Sequence, residues 1–167
     1  MKIAKTERRS REFSWFVTVL LCLLLLQITG CASVPEGSSA MKQQALSFTP
    51  PSEKAGVYAI RPYNYVGSGV LYEIILDHQE FGSLATKSYL FAVVPPGIHI
   101  LHLPYDGGSH VMFIAEAGKN YFFTVKPGWA WLQINTISEA DGKAYVLKYK
   151  LSGDYMFGNT IKTEQTQ

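Results

Sequence analysis

From residue 56 to residue 150 the chain alternates between short apolar or two-periodic runs and compact clusters of turn residues. The runs cover residues 57–61, 71–77, 80–84, 89–94, 98–103, 110–115, 120–126, 130–136 and 143–149. Between them stand Asp77-His78-Gln79, Pro95-Pro96-Gly97, Asp106-Gly107-Gly108, Ala117-Gly118-Lys119, Pro127-Gly128 and Asp141-Gly142. Proline presets φ, and Gly, Asn and Asp tolerate the positive φ of tight reversals, so these clusters mark chain reversals. Turn signals every 8 to 12 residues with no sustained 3.6-residue period predict an all-β domain. Alternate residues of a strand face opposite sides. Tyr72, Ile74 and Leu76 therefore share one face, opposite Glu73, Ile75 and Asp77, and Leu132 and Ile134 oppose Gln133 and Asn135. Strands this short and numerous suit a small antiparallel β-sandwich of two packed sheets, with a closed barrel as the alternative.

The pattern ahead of residue 56 differs. Lys2, Lys5, Arg8, Arg9 and Arg11 form a basic start, and residues 15–26 are apolar apart from Thr18. Gln27, Ile28, Thr29, Gly30 and Cys31 follow. A basic segment, a short apolar core and small residues at its end describe a secretory signal peptide over residues 1–30, forming a helix. The apolar run falls short of the roughly 20 residues that a spanning helix needs. Residues 31–55 hold Pro35, Gly37, Ser38, Ser39, Pro50 and Pro51 and few periodic apolar positions. That composition predicts a flexible tether, able to form at most a short helix over residues 40–46. As flexible chain, about 20 residues reach roughly 25 Å. Residues 151–167 are polar and aperiodic around Tyr155-Met156-Phe157 and read as a poorly ordered tail.

The run Ile28-Thr29-Gly30-Cys31 resembles the lipobox of bacterial lipoproteins. The resemblance implies that Cys31 is alkylated with a diacylglyceryl group, becomes the N-terminus and is acylated there, with fatty chains such as palmitate. Two or more chains hold a protein stably on a membrane. Ala32 and Ser33 follow, with no Asp beside the cysteine. By the same resemblance this favours a lipid anchor on the periplasmic face of an outer membrane.

Charge and cysteine content sharpen this picture. Five of the fifteen Lys and Arg and two of the thirteen Asp and Glu precede Cys31, which leaves ten against eleven, a formal charge of −1. The basic character belongs to the leader, and no electrostatic case for nucleic-acid binding remains. Cys22 lies within the leader, so Cys31 is the only cysteine of the mature chain. No intramolecular disulfide or thiolate zinc site can form.

A second resemblance rests on residues 72–77 (Tyr-Glu-Ile-Ile-Leu-Asp), Phe81-Gly82, Tyr89, and residues 93–99 (Val-Val-Pro-Pro-Gly-Ile-His). With Arg61-Pro62 and Val66-Gly67-Ser68 upstream, these are similar to a bacterial lipoprotein domain family of unknown function. They are also similar to PEGA-type domains, small Ig-like envelope β-sandwiches. His78 stands where that family has Gly. The resemblance implies structural roles for Asp77, Gly82, Pro96, Gly97 and His99. Asp77 and Gly82 would shape a hairpin, Pro96-Gly97 a turn, and His99 would hydrogen-bond across it. It implies a fold and an envelope setting without a reaction.

Catalytic and metal constellations fail on spacing. His99 and His102 fall on opposite faces of one strand, His78 sits in a turn and His110 follows a Gly-rich loop, so no three or four ligands converge. Gly67-Ser68-Gly69 lacks the G-x-S-x-G context of a nucleophile elbow. No phosphate-cradling loop is present. No enzyme activity, metal or cofactor is expected. The candidate binding surface is aromatic: Trp129 and Trp131 on one strand face, joined by Tyr63 and Tyr65 from the loop after Arg61. Exposed aromatics suit sugar stacking, protein contact or a membrane interface. The expected function is a non-catalytic, lipid-anchored binding or assembly module for an envelope protein or for cell-wall glycan such as peptidoglycan. The alternative is a structural accessory subunit that pairs through a sheet edge.

Overall fold

The computed structural model describes residues 15, 17, 34–105 and 109–153. The leader, the lipobox with Cys31, and residues 154–167 lie outside the described residues apart from Trp15 and Val17.

The chain forms two packed sheets, as its alternation predicts. In order it runs α1 (Ser39–Ser47), β1 (Ala55–Arg61), β2 (Tyr72–Leu76), β3 (Gln79–Leu84), β4 (Ser88–Val94), β5 (Gly97–His102), β6 (His110–Ala115), β7 (Asn120–Pro127), β8 (Leu132–Thr136), α2 (Glu139–Val146) and β9 (Lys150–Leu151). One sheet has the order β8-β7-β1-β4-β9 and the other β3-β2-β5-β6. Pairing is antiparallel except that β1 lies parallel to β7 and β4 parallel to β9.

The core between the sheets is built from the predicted inward faces. Tyr72, Ile74 and Leu76 of β2 meet Val57 and Ala59 of β1, Leu90, Ala92 and Val94 of β4, and Phe123 and Val125 of β7. The outward set Glu73, Ile75 and Asp77 is at least partly exposed. All seven residues of β1 are buried because both sheet faces are covered there. A second apolar layer accounts for this: Tyr58, Ile60, Tyr89, Phe91 and Phe122 face away from the sandwich core and pack under Met41 and Ala45 of α1 and Val146 of α2. The Tyr58 ring lies 4.6 Å from Phe122 and 4.8 Å from Phe91.

The flexible tether expected over residues 31–55 is corrected for its described part. The Ser38 side chain accepts from the Met41 N–H, Phe48 closes the helix in a left-handed conformation, and Met41 and Ala45 share one buried face. The Tyr58 hydroxyl donates to the Ala45 carbonyl at 2.7 Å, so the sheet holds the helix by polar as well as apolar contact. Ahead of α1, Glu36 forms a bridge with Ser152, the Gly37 N–H donates to the Leu151 carbonyl and Glu36 pairs with Lys150 at 2.6 Å. The composition of this stretch is polar because only two side chains of α1 need to be apolar.

The strand expected over residues 143–149 is also corrected. Residues 139–146 form α2, since the Ser138 side chain caps the Asp141 N–H and pairs with the Asp141 carboxylate. Glu139 and Lys143 add an i,i+4 pair at 2.6 Å. At the far end, Leu151 is buried in the β9 pairing and Ser152 in its bridge with Glu36, so the poorly ordered tail expected over residues 151–167 is corrected for its described part.

Candidate functional site

Strand register places four loops at one end of the sandwich. β1 ends there at Arg61, opposite the start of β4 at Ser88, and its parallel neighbour β7 ends there at Pro127. Ser88 is also level with Lys150, the start of β9. Residues 62–71, 85–87, 128–131 and 147–149 therefore share this end. Tyr63, Tyr65, Trp129 and Trp131 all sit in these loops, and all are exposed, at 57%, 84%, 101% and 66%. The structure thus brings to one end the four aromatics that the sequence singles out, from loops more than 60 positions apart.

Their local setting differs from the strand face expected for the tryptophans. Trp129 and Trp131 precede β8, in a reversal closed by the Gly128 N–H donating to the Trp131 carbonyl at 2.7 Å. A turn breaks the two-residue period, so alternation with Gln133 and Asn135 does not extend back to them. Leu132 and Ile134 do turn inward.

The 62–71 loop is shaped from below by Arg61. Its guanidinium is 2% exposed, donates to the carbonyls of Leu84 at 2.8 Å, Gly67 at 2.5 Å and Val70, and lies 3.5 Å from the centre of the Tyr72 ring. Burial pushes the guanidinium below its ordinary range, and the neighbouring Tyr72 opposes that shift. A rigid planar donor fork suits several carbonyls at once, where an ammonium offers a point charge. At the surface, Lys87 lies 4.8 Å from the Tyr63 ring centre. Tyr105, beside this end, accepts the Glu73 N–H at 3.1 Å.

Charge is unevenly divided. The four loops contain Lys87 and Lys148 and no carboxylate, Lys126 stands exposed just before Pro127, and the sequence of the β5–β6 turn that carries Tyr105 includes Asp106. At the opposite end the turns carry Glu53, Lys54, Asp77, Glu116 and Lys119. Sequence reading missed the part of Val66, Val70, Tyr105 and Leu147 in this surface; all are exposed apolar residues of the same region. Val66 and Val70 share the loop of Tyr63 and Tyr65, while Tyr105 and Leu147 come from separate segments that only the register joins to it.

The motif residues lie toward the opposite end, in reversals and the hydrogen bonds that span them. Asp77 and His78, with φ of 49° and 65°, make a two-residue reversal of the kind that fits strand twist, with His78 in place of Gly. Gly82, at φ 136°, lies beside the register shift between β2 and β3, and Gly97 opens β5 at φ 142°. Pro96 stands exposed in the turn before it. Asp77 accepts from the Ile100 N–H at 2.9 Å and faces His99 Nδ1 at 2.5 Å, while His99 Nε2 faces the Pro95 carbonyl at 2.8 Å. His99 thus bonds across its turn as expected, and both its nitrogens are engaged. His78 and His102 have ring centres 6.3 Å apart, yet among the described residues no three His, Cys, Asp or Glu side chains converge.

No protein-family model matches this chain, and neither a curated protein nor a solved structure does.

Proposed function

We propose that the protein is a lipid-anchored lipoprotein of the bacterial envelope, held through Cys31 on the periplasmic face of the outer membrane. It acts there as a non-catalytic binding or assembly module. The observation that carries this reading is the gathering of Tyr63, Tyr65, Trp129 and Trp131 at one exposed end. Aromatic side chains present large, stiff contact area with a polar handle, and they concentrate where proteins meet partners. Envelope proteins and cell-wall glycan are the partners that such a surface suits. The resemblance to PEGA-type envelope domains supports the same setting.

Photocrosslinking from position 129 in intact cells tests the reading. One dominant adduct with an envelope protein or with peptidoglycan is expected, and it disappears when the probe is moved to the opposite end, at Glu116. Diffuse labelling from both positions sinks the proposal.

A structural accessory role is the second reading, and one observation favours it. Strand β6 is the edge of the four-stranded sheet, and Met112 and Ile114 on it stand exposed beside Ile98 of β5. An apolar face next to a strand edge suits pairing with another chain.

A further inference from the structure

We infer that β6 pairs antiparallel with β6 of a second copy of this chain, joining two four-stranded sheets into one continuous sheet. This rests on the accessory reading of β6 as a pairing edge, and it names the chain that pairs.

The backbone of β6 is ready to receive a strand. The Leu103 N–H donates to the Ser109 carbonyl, which fixes the parity of the β5–β6 ladder. Ser109, Val111, Phe113 and Ala115 turn their backbone groups to β5, and His110, Met112 and Ile114 turn theirs outward. Among the described residues nothing bonds to those outward groups. The other sheet edges are guarded. Glu36 and Gly37 cover β9. Exposed Gln79 and Glu80 and a register shift mark β3. The Ser109 hydroxyl takes the Ile134 N–H of β8 at 3.1 Å. β6 has no Lys, Arg, Asp or Glu, no proline and no break in register. Proteins ordinarily blunt an edge with such devices, so their lack on β6 alone points to a strand that is paired.

The outer face selects the second copy as that partner. By alternation it carries the rows Ile98–Ile114, Ile100–Met112 and His102–His110, with Ile98, Met112 and Ile114 exposed. A twofold axis at Phe113 sets Met112 level with Ile114 of the second copy, and both residues offer outward backbone groups. Ile100 and Met112 then continue into Ile114 and Ile98 of the second copy as one apolar row, and the symmetry repeats that row. His110 comes level with Glu116 of the second copy, which supplies an acceptor. The uncharged strand is what permits this, since a charge on β6 would meet itself across the axis. Such a contact uses the same patch on both copies and closes. The edges left on the joined sheet are the guarded β3 strands, so assembly stops at the dimer.

The test is the mass of the full-length protein purified in mild detergent, read by sedimentation over a concentration series. A dimer is expected. Met112→Lys and Ile114→Glu each set a charge into the apolar row and should raise the dimer Kd roughly tenfold or more. Both side chains are exposed, so circular dichroism should show the domain still folded. Mixed together, the two variants should associate more tightly than either alone, because the register sets the lysine of one against the glutamate of the other. A mixture no tighter than the single variants overturns the inference, and so does a monomer at every concentration. Photocrosslinking from position 112 in intact cells separates the two failures. An adduct with a different protein overturns the second copy and leaves β6 a pairing edge. Absence of any adduct overturns both.

Discussion

Asp77 and His99 tie the β2–β3 hairpin to the start of β5, with Asp77 Oδ2 2.5 Å from His99 Nδ1. The pair is more than a contact between neighbours, because His99 is 5% exposed and also reaches the Pro95 carbonyl, while Asp77 also accepts the Ile100 N–H. Removing Asp77 leaves Nδ1 of the buried His99 unmatched, which costs about 1–3 kcal/mol, and removing His99 empties a buried position and frees the Pro95 carbonyl. Asp77→Ala and His99→Ala should each lower thermal stability accordingly, read by circular dichroism. The double variant should lose less than the two losses added together. Strict additivity would show that the two side chains act independently.

Arg61 predicts the behaviour of the aromatic loop. Hydrogen bonds to a charged donor contribute about 1.5–3 kcal/mol each, and Arg61 makes three to carbonyls, two of them in residues 62–71. Arg61→Met should destabilise the domain by about 3 kcal/mol or more. Hydrogen exchange should accelerate first in residues 62–71. Arg61→Lys should restore only part of the protection, since an ammonium cannot match the fork. Unchanged exchange in that loop would sink the clamp.

Gly142 sets helix propensity against packing. Gly→Ala within a helix is worth about 1 kcal/mol in favour of Ala. A Cβ at Gly142, however, meets the Phe122 ring atoms at 2.3 Å. Overpacking costs about 1–3 kcal/mol, so the clash wins and Gly142→Ala should lower the urea midpoint. A Gly142→Ala, Phe122→Leu double variant should recover part of the loss.

Docking of residues 36–47 is open to proteolysis. A free tether would be cut between residues 36 and 53, leaving a fragment that starts near β1. With α1 seated on Tyr58 and Glu36 bridged to Ser152, the resistant fragment should begin near residue 34. Ala45→Asp, which puts a charge at a fully buried position, should shift the cut to residues 48–54.

Alkali should unfold the protein through its buried tyrosines. Desolvation raises Tyr58 well above the ordinary tyrosine range and pushes Tyr89 up to about 12. The unfolded chain releases these protons near pH 10 and the folded chain later. Stability is therefore intact below pH 10 and falls as pH rises from 10 through 12. Tyr58→Phe should flatten that decline, measured as the urea midpoint against pH.

The two-sheet sandwich was legible because its inward faces alternate: Tyr72, Ile74 and Leu76 needed only the two-residue period of a strand. The hairpin at Asp77 and the turn bond of His99 were legible because turn chemistry is local. The helix α2 was hidden, since Tyr145, Val146 and Tyr149 look β-like and the Ser138–Asp141 cap is a single short signal. The docked state of α1 was hidden for the opposite reason, since a helix that buries only Met41 and Ala45 leaves a polar sequence behind.

What the sequence determined by itself is whatever depends on neighbours along the chain: the strands and reversals, and the four aromatics as candidates. What only the tertiary structure decided is whatever depends on register between distant strands. Parallel pairing of β1 with β7 carries the loops after Arg61 and Pro127 to the same end. No residue in either loop encodes that meeting. It rests on the place of β1 at the centre of its sheet, between β7 and β4 and buried on both faces.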